Sequence, residues 1–227
     1  GEYQAHLTGK VRDSGMIPVV GDFVTIFVDE YETASIFLVH PRKSTFTRPD
    51  RGGHADGYVK TMKEQVVIAN YDYVFIITSM NDNFNVNRIA RYAAITTAGG
   101  GIPVAVLTKA DLVENADSYV EQVRMINGTM DVLAVSAYSK EGMEQLKKYF
   151  VPGTTIALLG SSGAGKSTLI NTIAGKEIMK VSEIRESDSK GHHTTTHRQM
   201  IELDGVSLID TPGMRELGVC DVAEAID

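Results

Sequence analysis

The sequence predicts a small N-terminal β-barrel followed by an α/β domain built on a mostly parallel sheet. Three observations predict it. Short stretches rich in β-branched and aromatic residues, separated by Gly and Asp turns, fill the chain up to Val39. Apolar runs then alternate with helix-period segments from 66 to 155. A glycine-rich loop at 160–167 stands between a short apolar run and a helical pattern. The expected domains are an OB-like β-barrel with a basic loop over 1–65, an α/β domain over 66–219, and the start of a C-terminal region over 220–227.

Composition bounds the function classes. A chain of 227 residues with 43% hydrophobic and 22% charged residues has ample core material for a globular protein. No apolar run approaches the ~20 residues that span a bilayer, and Gly1–Gln4 lacks the basic and apolar regions of a signal peptide. One cysteine, Cys220, cannot form an internal disulfide, which fits a reducing cytoplasm. The expectation is a cytoplasmic monomer with no membrane partner, and the start at Gly suggests a trimmed chain. A net charge of −7 argues against nucleic-acid binding by the whole surface and leaves room for a local basic patch.

The elements follow in order. Ala5–Val11, Phe23–Val28 and Ala34–Val39 read as strands, with a turn at Val19–Asp22. Short strands in this compass suit an OB-fold, and an SH3-like barrel fits nearly as well. From His40 to Lys63 periodicity fades, so the stretch reads as a loop or linker. Arg42, Lys43, Arg48 and Arg51 make its first half basic, able to follow an RNA backbone; a solvated linker has the same composition. Val74–Ile77, Val104–Leu107 and Val132–Val135 are buried parallel strands, while 84–98, 117–127 and 141–150 read as helices. Ile89, Tyr92, Ala93 and Thr96 share the inner face of the first. Ile156–Leu159 is a further strand, and Met200–Leu203 with Val206–Ile209 forms a hairpin turning at Asp204-Gly205.

Chemistry gathers where these strands end, the place where open α/β sheets bind ligands. Gly160-Ser161-Ser162-Gly163-Ala164-Gly165-Lys166-Ser167 fills the G-x-x-x-x-G-K-[ST] pattern, and Leu169, Ile170 and Ile173 continue it as a helix. Such a loop wraps phosphate in backbone N–H groups, with Lys166 reaching the β- and γ-phosphates and the Ser167 hydroxyl meeting Mg2+. After Leu107 comes Thr108-Lys109-Ala110-Asp111, whose carboxylate can accept both N–H groups of a guanine edge while the Lys109 stem covers the base. Alone, that element also reads as a charged turn capping the next helix. Ser136-Ala137 after Val135 offers backbone N–H groups to the guanine O6. Asp210-Thr211-Pro212-Gly213 ends the hairpin, with Asp210 suited to Mg2+ and the Gly213 N–H to a γ-phosphate. A threonine from 194–196 would complete the Mg2+ shell.

Together T-K-A-D, S-A, G-S-S-G-A-G-K-S, T-T-T and D-T-P-G resemble the five motifs of Ras-like GTPases, in the rotated order of the circularly permuted ones. With the N-terminal barrel and Gly191-His192-His193-Thr194-Thr195-Thr196-His197-Arg198, the chain resembles the ribosome small subunit-dependent GTPase A family over essentially its whole length. The resemblance implies an OB-like barrel before a circularly permuted P-loop GTPase domain. It implies GTP hydrolysis to GDP, stimulated by the small ribosomal subunit during its late maturation, with that subunit and its rRNA as partners. It places nucleotide contacts at Thr108, Lys109, Asp111, Ser136, Ala137, at 162–168 (Ser162, Gly163, Ala164, Gly165, Lys166, Ser167 and Thr168) and at Gly213. Mg2+ would be held by Ser167, Thr195 and Asp210.

Two departures matter, and one feature shared with the family bears on mechanism. The family carries a zinc domain of clustered Cys and His after the GTPase domain, whereas Cys220 is alone and reads as a small apolar residue; zinc is not expected in these residues, and the chain reads as a fragment. Gly163 stands where potassium-activated GTPases carry Asn. Met214 occupies the position of the water-orienting Gln of Ras-like enzymes and cannot replace it, a substitution the family shares. His193 is the candidate for that role, with Lys166 as the other catalytic residue. A metal bound by His192, His193 and His197, solvated loop histidines, or water placed by a ribosomal group are the alternatives. The 182–198 segment has no apolar anchor, so it should order only on γ-phosphate and Mg2+. Two other functions fit parts of the pattern. An ABC-type ATPase shares the loop but needs an L-S-G-G-Q signature that is absent. An RNA-binding assembly factor would hold GTP as a slowly hydrolysed structural ligand.

Overall fold

The computed structural model describes residues 2–49, 64–81, 84–180 and 199–211. Strands β1 (Ala5–Leu7), β2 (Val24–Val28) and β3 (Ala34–Val39) form a sheet in the order β1-β3-β2, with β1 parallel and β2 antiparallel to β3. The strand expected to run to Val11 stops at Leu7. The Thr8 hydroxyl donates to the Ile36 carbonyl (2.9 Å), and helix α1 (Gly9–Asp13) then turns Val11 into the interior.

The stretch expected as a loop from His40 contains strand β4 (Thr45–Pro49), paired antiparallel with β5 (Glu64–Ala69). The reason is Phe46, which is fully buried and meets Tyr92 edge-on. The ribbon therefore packs on the α/β domain, and the expected boundary after residue 65 falls inside β5. Among the described residues the three-stranded sheet and this ribbon are joined by one parallel bridge, Val20–Ile68, and strand pairing does not close a barrel.

The α/β domain has strands β6 (Tyr73–Ser79), β7 (Ile102–Thr108), β8 (Asp131–Ala134), β9 (Thr155–Leu159), β10 (Gln199–Leu203) and β11 (Val206–Asp210). Their order is β10-β11-β9-β6-β7-β8, all parallel except the hairpin strand β10. Alternation along β6 sends Val74 and Ile76 into one apolar layer and Phe75 and Ile77 into the other. Helices α2 (Val86–Ala98) and α3 (Ala116–Ile126) cover the first layer. The face predicted for α2 is the buried one: Ile89, Tyr92, Ala93 and Thr96. Helix α4 (Lys166–Ala174) covers the second through Leu169 and Ile170.

The segment expected as an α-helix over 141–150 is a 3-10 helix, Met143–Tyr149. Its buried residues, Met143, Leu146 and Tyr149, recur every third position, the period of that tighter helix. At its start Gly142 has φ +71°, and a Cβ there would lie 2.1 Å from the Ala134 carbonyl oxygen.

Buried polar contacts hold the N-terminal part in place. Asn70, at φ +56°, donates from Nδ2 to the Gly21 carbonyl (2.9 Å) and accepts the Lys43 N–H on Oδ1 (2.9 Å). The Ser44 hydroxyl donates to the Tyr71 carbonyl (2.6 Å). Among the described residues no helix is long and apolar enough to cross a membrane.

Candidate functional site

Because β6, β7, β8, β9 and β11 run parallel, their C-terminal ends share one edge of the sheet. The glycine-rich loop leaves β9 there and turns directly into α4. Gly160 has to be glycine: a Cβ would lie 2.5 Å from the Ile77 carbonyl oxygen of β6. Gly163 (φ +76°) and Gly165 (φ +89°) take the left-handed conformation that lets the loop curl before the helix. The Lys166 ammonium donates back to the carbonyls of Gly160 (2.8 Å) and Ser161 (3.3 Å). Ser162, Gly163 and Thr168 are exposed on the rim, and Ser167 is half-buried.

Two opposite charges face one another across this edge. Burial lowers the pKa of Lys166 below the ordinary lysine value, and the Asp210 carboxylate opposes that effect. Burial raises Asp210 above the usual carboxylate range, opposed by Lys166 and by the Thr211 N–H. Oδ1 of Asp210 is buried without a hydrogen-bond partner. A desolvated carboxylate oxygen with no donor is what a hydrated divalent cation satisfies, so Asp210 and the Ser167 hydroxyl fit Mg2+. Among the described residues no group of three or more His, Cys, Asp or Glu side chains is placed to hold a metal ion.

The elements expected to read a base lie at the ends of the next two strands. Thr108, buried at the end of β7, donates its hydroxyl to the Ala164 carbonyl at 2.6 Å and fastens T-K-A-D to the phosphate loop. Lys109 takes φ +62°, which turns the chain sharply into the 3-10 turn Ala110–Leu112 and leaves Asp111 exposed in its first turn. The Ala110 N–H donates to the Val135 carbonyl (3.2 Å), placing that turn against the loop after β8. In that loop the Ser136 hydroxyl accepts the N–H groups of Tyr138 (3.2 Å) and Ser139 (3.0 Å). The Ser136 N–H is itself bound to the Glu141 carbonyl (2.9 Å), so of the expected pair Ala137 is the one with an N–H to offer a base oxygen.

Three of the four basic residues expected to touch RNA, Arg42, Lys43 and Arg48, are engaged within the chain. Arg42 grips Asp22 through Nε and Nη2, both at 2.7 Å, and Lys43 pairs with Asp72 at 2.8 Å. Arg48 Nε donates to Gln65 (2.9 Å). Arg51, His192, His193, Thr194–Thr196, His197, Gly213, Met214 and Cys220 lie outside the described residues, as does the 182–198 segment.

Two contacts were not read from sequence. The buried Thr211 hydroxyl donates to the Leu158 carbonyl (2.7 Å), tying D-T-P-G to the strand before the phosphate loop. The Thr108 hydroxyl does the same for T-K-A-D. In both motifs a threonine where any small residue would turn the chain was the available signal.

The sequence model of the family described as RsgA GTPase matches residues 39–220. The protein called small ribosomal subunit biogenesis GTPase RsgA in Methanosarcina acetivorans is 43% identical over 227 residues, which cover 99% of this chain and 59% of that protein. Its namesake in Opitutus terrae is 41% identical, covering 99% and 63%. The chain thus spans less than two thirds of the length of these curated relatives. The crystal structure of YjeQ from Thermotoga maritima superposes with a TM-score of 0.65 at 26% identity, covering 96% of this chain and 68% of that one. That of YloQ, a circularly permuted GTPase, gives 0.61 at 22% identity, covering 97% and 66%, and bears on the fold alone.

Proposed function

Given that this chain belongs to the RsgA GTPase family, we propose that it binds GTP at the shared strand edge and hydrolyses it to GDP and phosphate. The observation that carries this reading is the Thr108–Ala164 hydrogen bond, which makes one unit of a phosphate loop and a guanine-type reading turn. Asp111 accepts the two N–H groups of the guanine edge, and the Ala137 N–H meets its O6. Lys166 leaves the Gly160 and Ser161 carbonyls for the β- and γ-phosphate oxygens, a transfer that burial favours because those oxygens carry full charge. Mg2+, when bound, neutralises charge on the phosphates; Asp210 and Ser167 would hold it, with Thr195 added from the 194–196 stretch. His193 orients the attacking water, in place of the side chain that Met214 lacks, and the Gly213 N–H contacts the γ-phosphate.

The relatives' name, small ribosomal subunit biogenesis GTPase, supports a role in the making of the small subunit; beyond that name, we propose that the chain acts in the cytoplasm, contacts the subunit's rRNA through the 1–65 part and is stimulated by the subunit. Turnover of GTP and ATP, with and without purified small subunits and beside a His193→Ala variant, tests this. GTP-specific stimulation, lost in the variant while subunit binding persists, supports it. Equal rates with and without subunits would sink the stimulation, and stimulation kept in the variant would move the water-orienting role elsewhere.

A further inference from the structure

The two described groups that fit Mg2+ arrive from different strands. Ser167 lies in the first turn of α4, after the loop that leaves β9, and Asp210 ends β11. Mg2+ demands near-ideal octahedral geometry with oxygens at about 2.0–2.1 Å, so ligands on separate strands serve it only when those strands are held in fixed register.

Strand pairing sets that register as far as Asp210, which stands opposite Leu158 of β9. Beyond it, Thr211 turns its N–H to the Asp210 carboxylate, and residue 212 is a proline, with no N–H to give. The hydroxyl of the fully buried Thr211 takes over, donating to the Leu158 carbonyl at 2.7 Å. Leu158 lies two residues before Gly160, where the phosphate loop begins. One oxygen of Asp210, Oδ1, is left buried with no hydrogen-bond partner. Thr211 thus fastens the end of β11 to the strand that feeds the phosphate loop, and engages the same carboxylate whose other oxygen stays bare.

We propose that Thr211 is a positioning residue for the divalent cation: its hydroxyl fixes where Oδ1 of Asp210 stands relative to the phosphate loop and Ser167. This rests on the nucleotide and Mg2+ reading above. Thr211 acts through Asp210 and needs no contact with nucleotide or cation. Valine keeps the shape of the side chain and frees the strand end; serine keeps the donor. Groups that orient a metal-binding side chain in this way are worth about ten- to 100-fold in metal affinity.

The test is titration of the whole GDP-bound chain with Mn2+, followed through the paramagnetic resonance signal of the free ion. Thr211→Val, Thr211→Ser, Asp210→Asn and the Asp210→Asn/Thr211→Val double variant stand beside wild type, and the GDP affinity of each is also measured in EDTA. Thr211→Val should bind Mn2+ about ten-fold more weakly while its metal-free GDP affinity holds. Thr211→Ser should bind Mn2+ like wild type. In the Asp210→Asn background the valine should cost nothing further, because its effect passes through that carboxylate. If Thr211→Val does not fold, Thr211→Cys, with an S–H that donates weakly, replaces it and should fall between wild type and Asp210→Asn. Wild-type Mn2+ binding by the valine variant, or by the cysteine variant in its place, overturns the role. So does an equal loss of metal-free GDP affinity, or a full further loss in the Asp210→Asn background. A wild-type chain that binds no GDP overturns the proposed function and this inference together.

Discussion

Replacing Thr108 with valine keeps the shape of the side chain and removes one hydroxyl. That hydroxyl donates to the Ala164 carbonyl at 2.6 Å, and Ala164 is fully buried, so no water takes over the lost donor. An orphaned buried acceptor costs about 2 kcal/mol, which for a chain of this size lowers Tm by roughly 4–8 °C. Because the same bond fastens the base-reading turn to the phosphate loop, GDP affinity should fall about ten-fold as well. Thermal melts with and without GDP, and a GDP titration, measure both effects. Thr108→Ser is the control: it keeps the donor, gives up only a methyl group, and should bind GDP close to wild type. A Thr108→Val chain that melts and binds like wild type would refute the role given to this hydrogen bond.

Other expectations test the same structure elsewhere. Gly160→Ala drives a Cβ to 2.5 Å from the Ile77 carbonyl oxygen and should cost about 2 kcal/mol and most nucleotide binding; Gly175→Ala, with φ +66° and open space, should cost only about 1 kcal/mol and leave binding intact in the same titration. Arg42→Ala leaves the Asp22 side chain, 1% exposed, without its partner and should destabilise by about 3 kcal/mol in denaturant melts, before any RNA contact is considered. Asp210→Asn should abolish Mg2+-dependent turnover. Since burial raises the Asp210 pKa, its carboxylate is protonated at a higher pH than an exposed one. Mg2+-supported turnover should therefore fall on acidification earlier than surface carboxylates titrate. The apo chain should instead gain stability from Asp210 at low pH and lose it as pH rises through the raised value, a slope absent in Asp210→Asn.

Local patterns were legible because local physics fixes them. The run Ile156–Leu159, the glycine-rich loop and the helix after it are specified by apolar period and backbone freedom, as is the inner face of α2 through Ile89, Tyr92, Ala93 and Thr96. What was not legible depends on distant partners. Phe46 makes a strand of a stretch that reads as linker because it finds Tyr92 across the fold. Arg42 reads as a free basic residue until Asp22 is placed beside it. The hydroxyls of Thr108 and Thr211 sit inside recognisable motifs, but their acceptors, Ala164 and Leu158, lie 56 and 53 residues away. Met143, Leu146 and Tyr149 show the reverse case: their spacing of three was visible, and was read as an α-helix.

In the proposed function, guanine is selected at this strand edge through Asp111. The most direct measurement is the affinity of the wild-type chain and of Asp111→Asn for GTP, ATP and XTP in the presence of Mg2+. A carboxylate matches the two donors of guanine, whereas an amide matches the donor and carbonyl of xanthine. The expected result is a wild-type preference for GTP of about 100-fold or more over ATP and XTP, turned toward XTP in the variant. Equal binding of GTP and ATP by wild type, or an unchanged preference in Asp111→Asn, would contradict it.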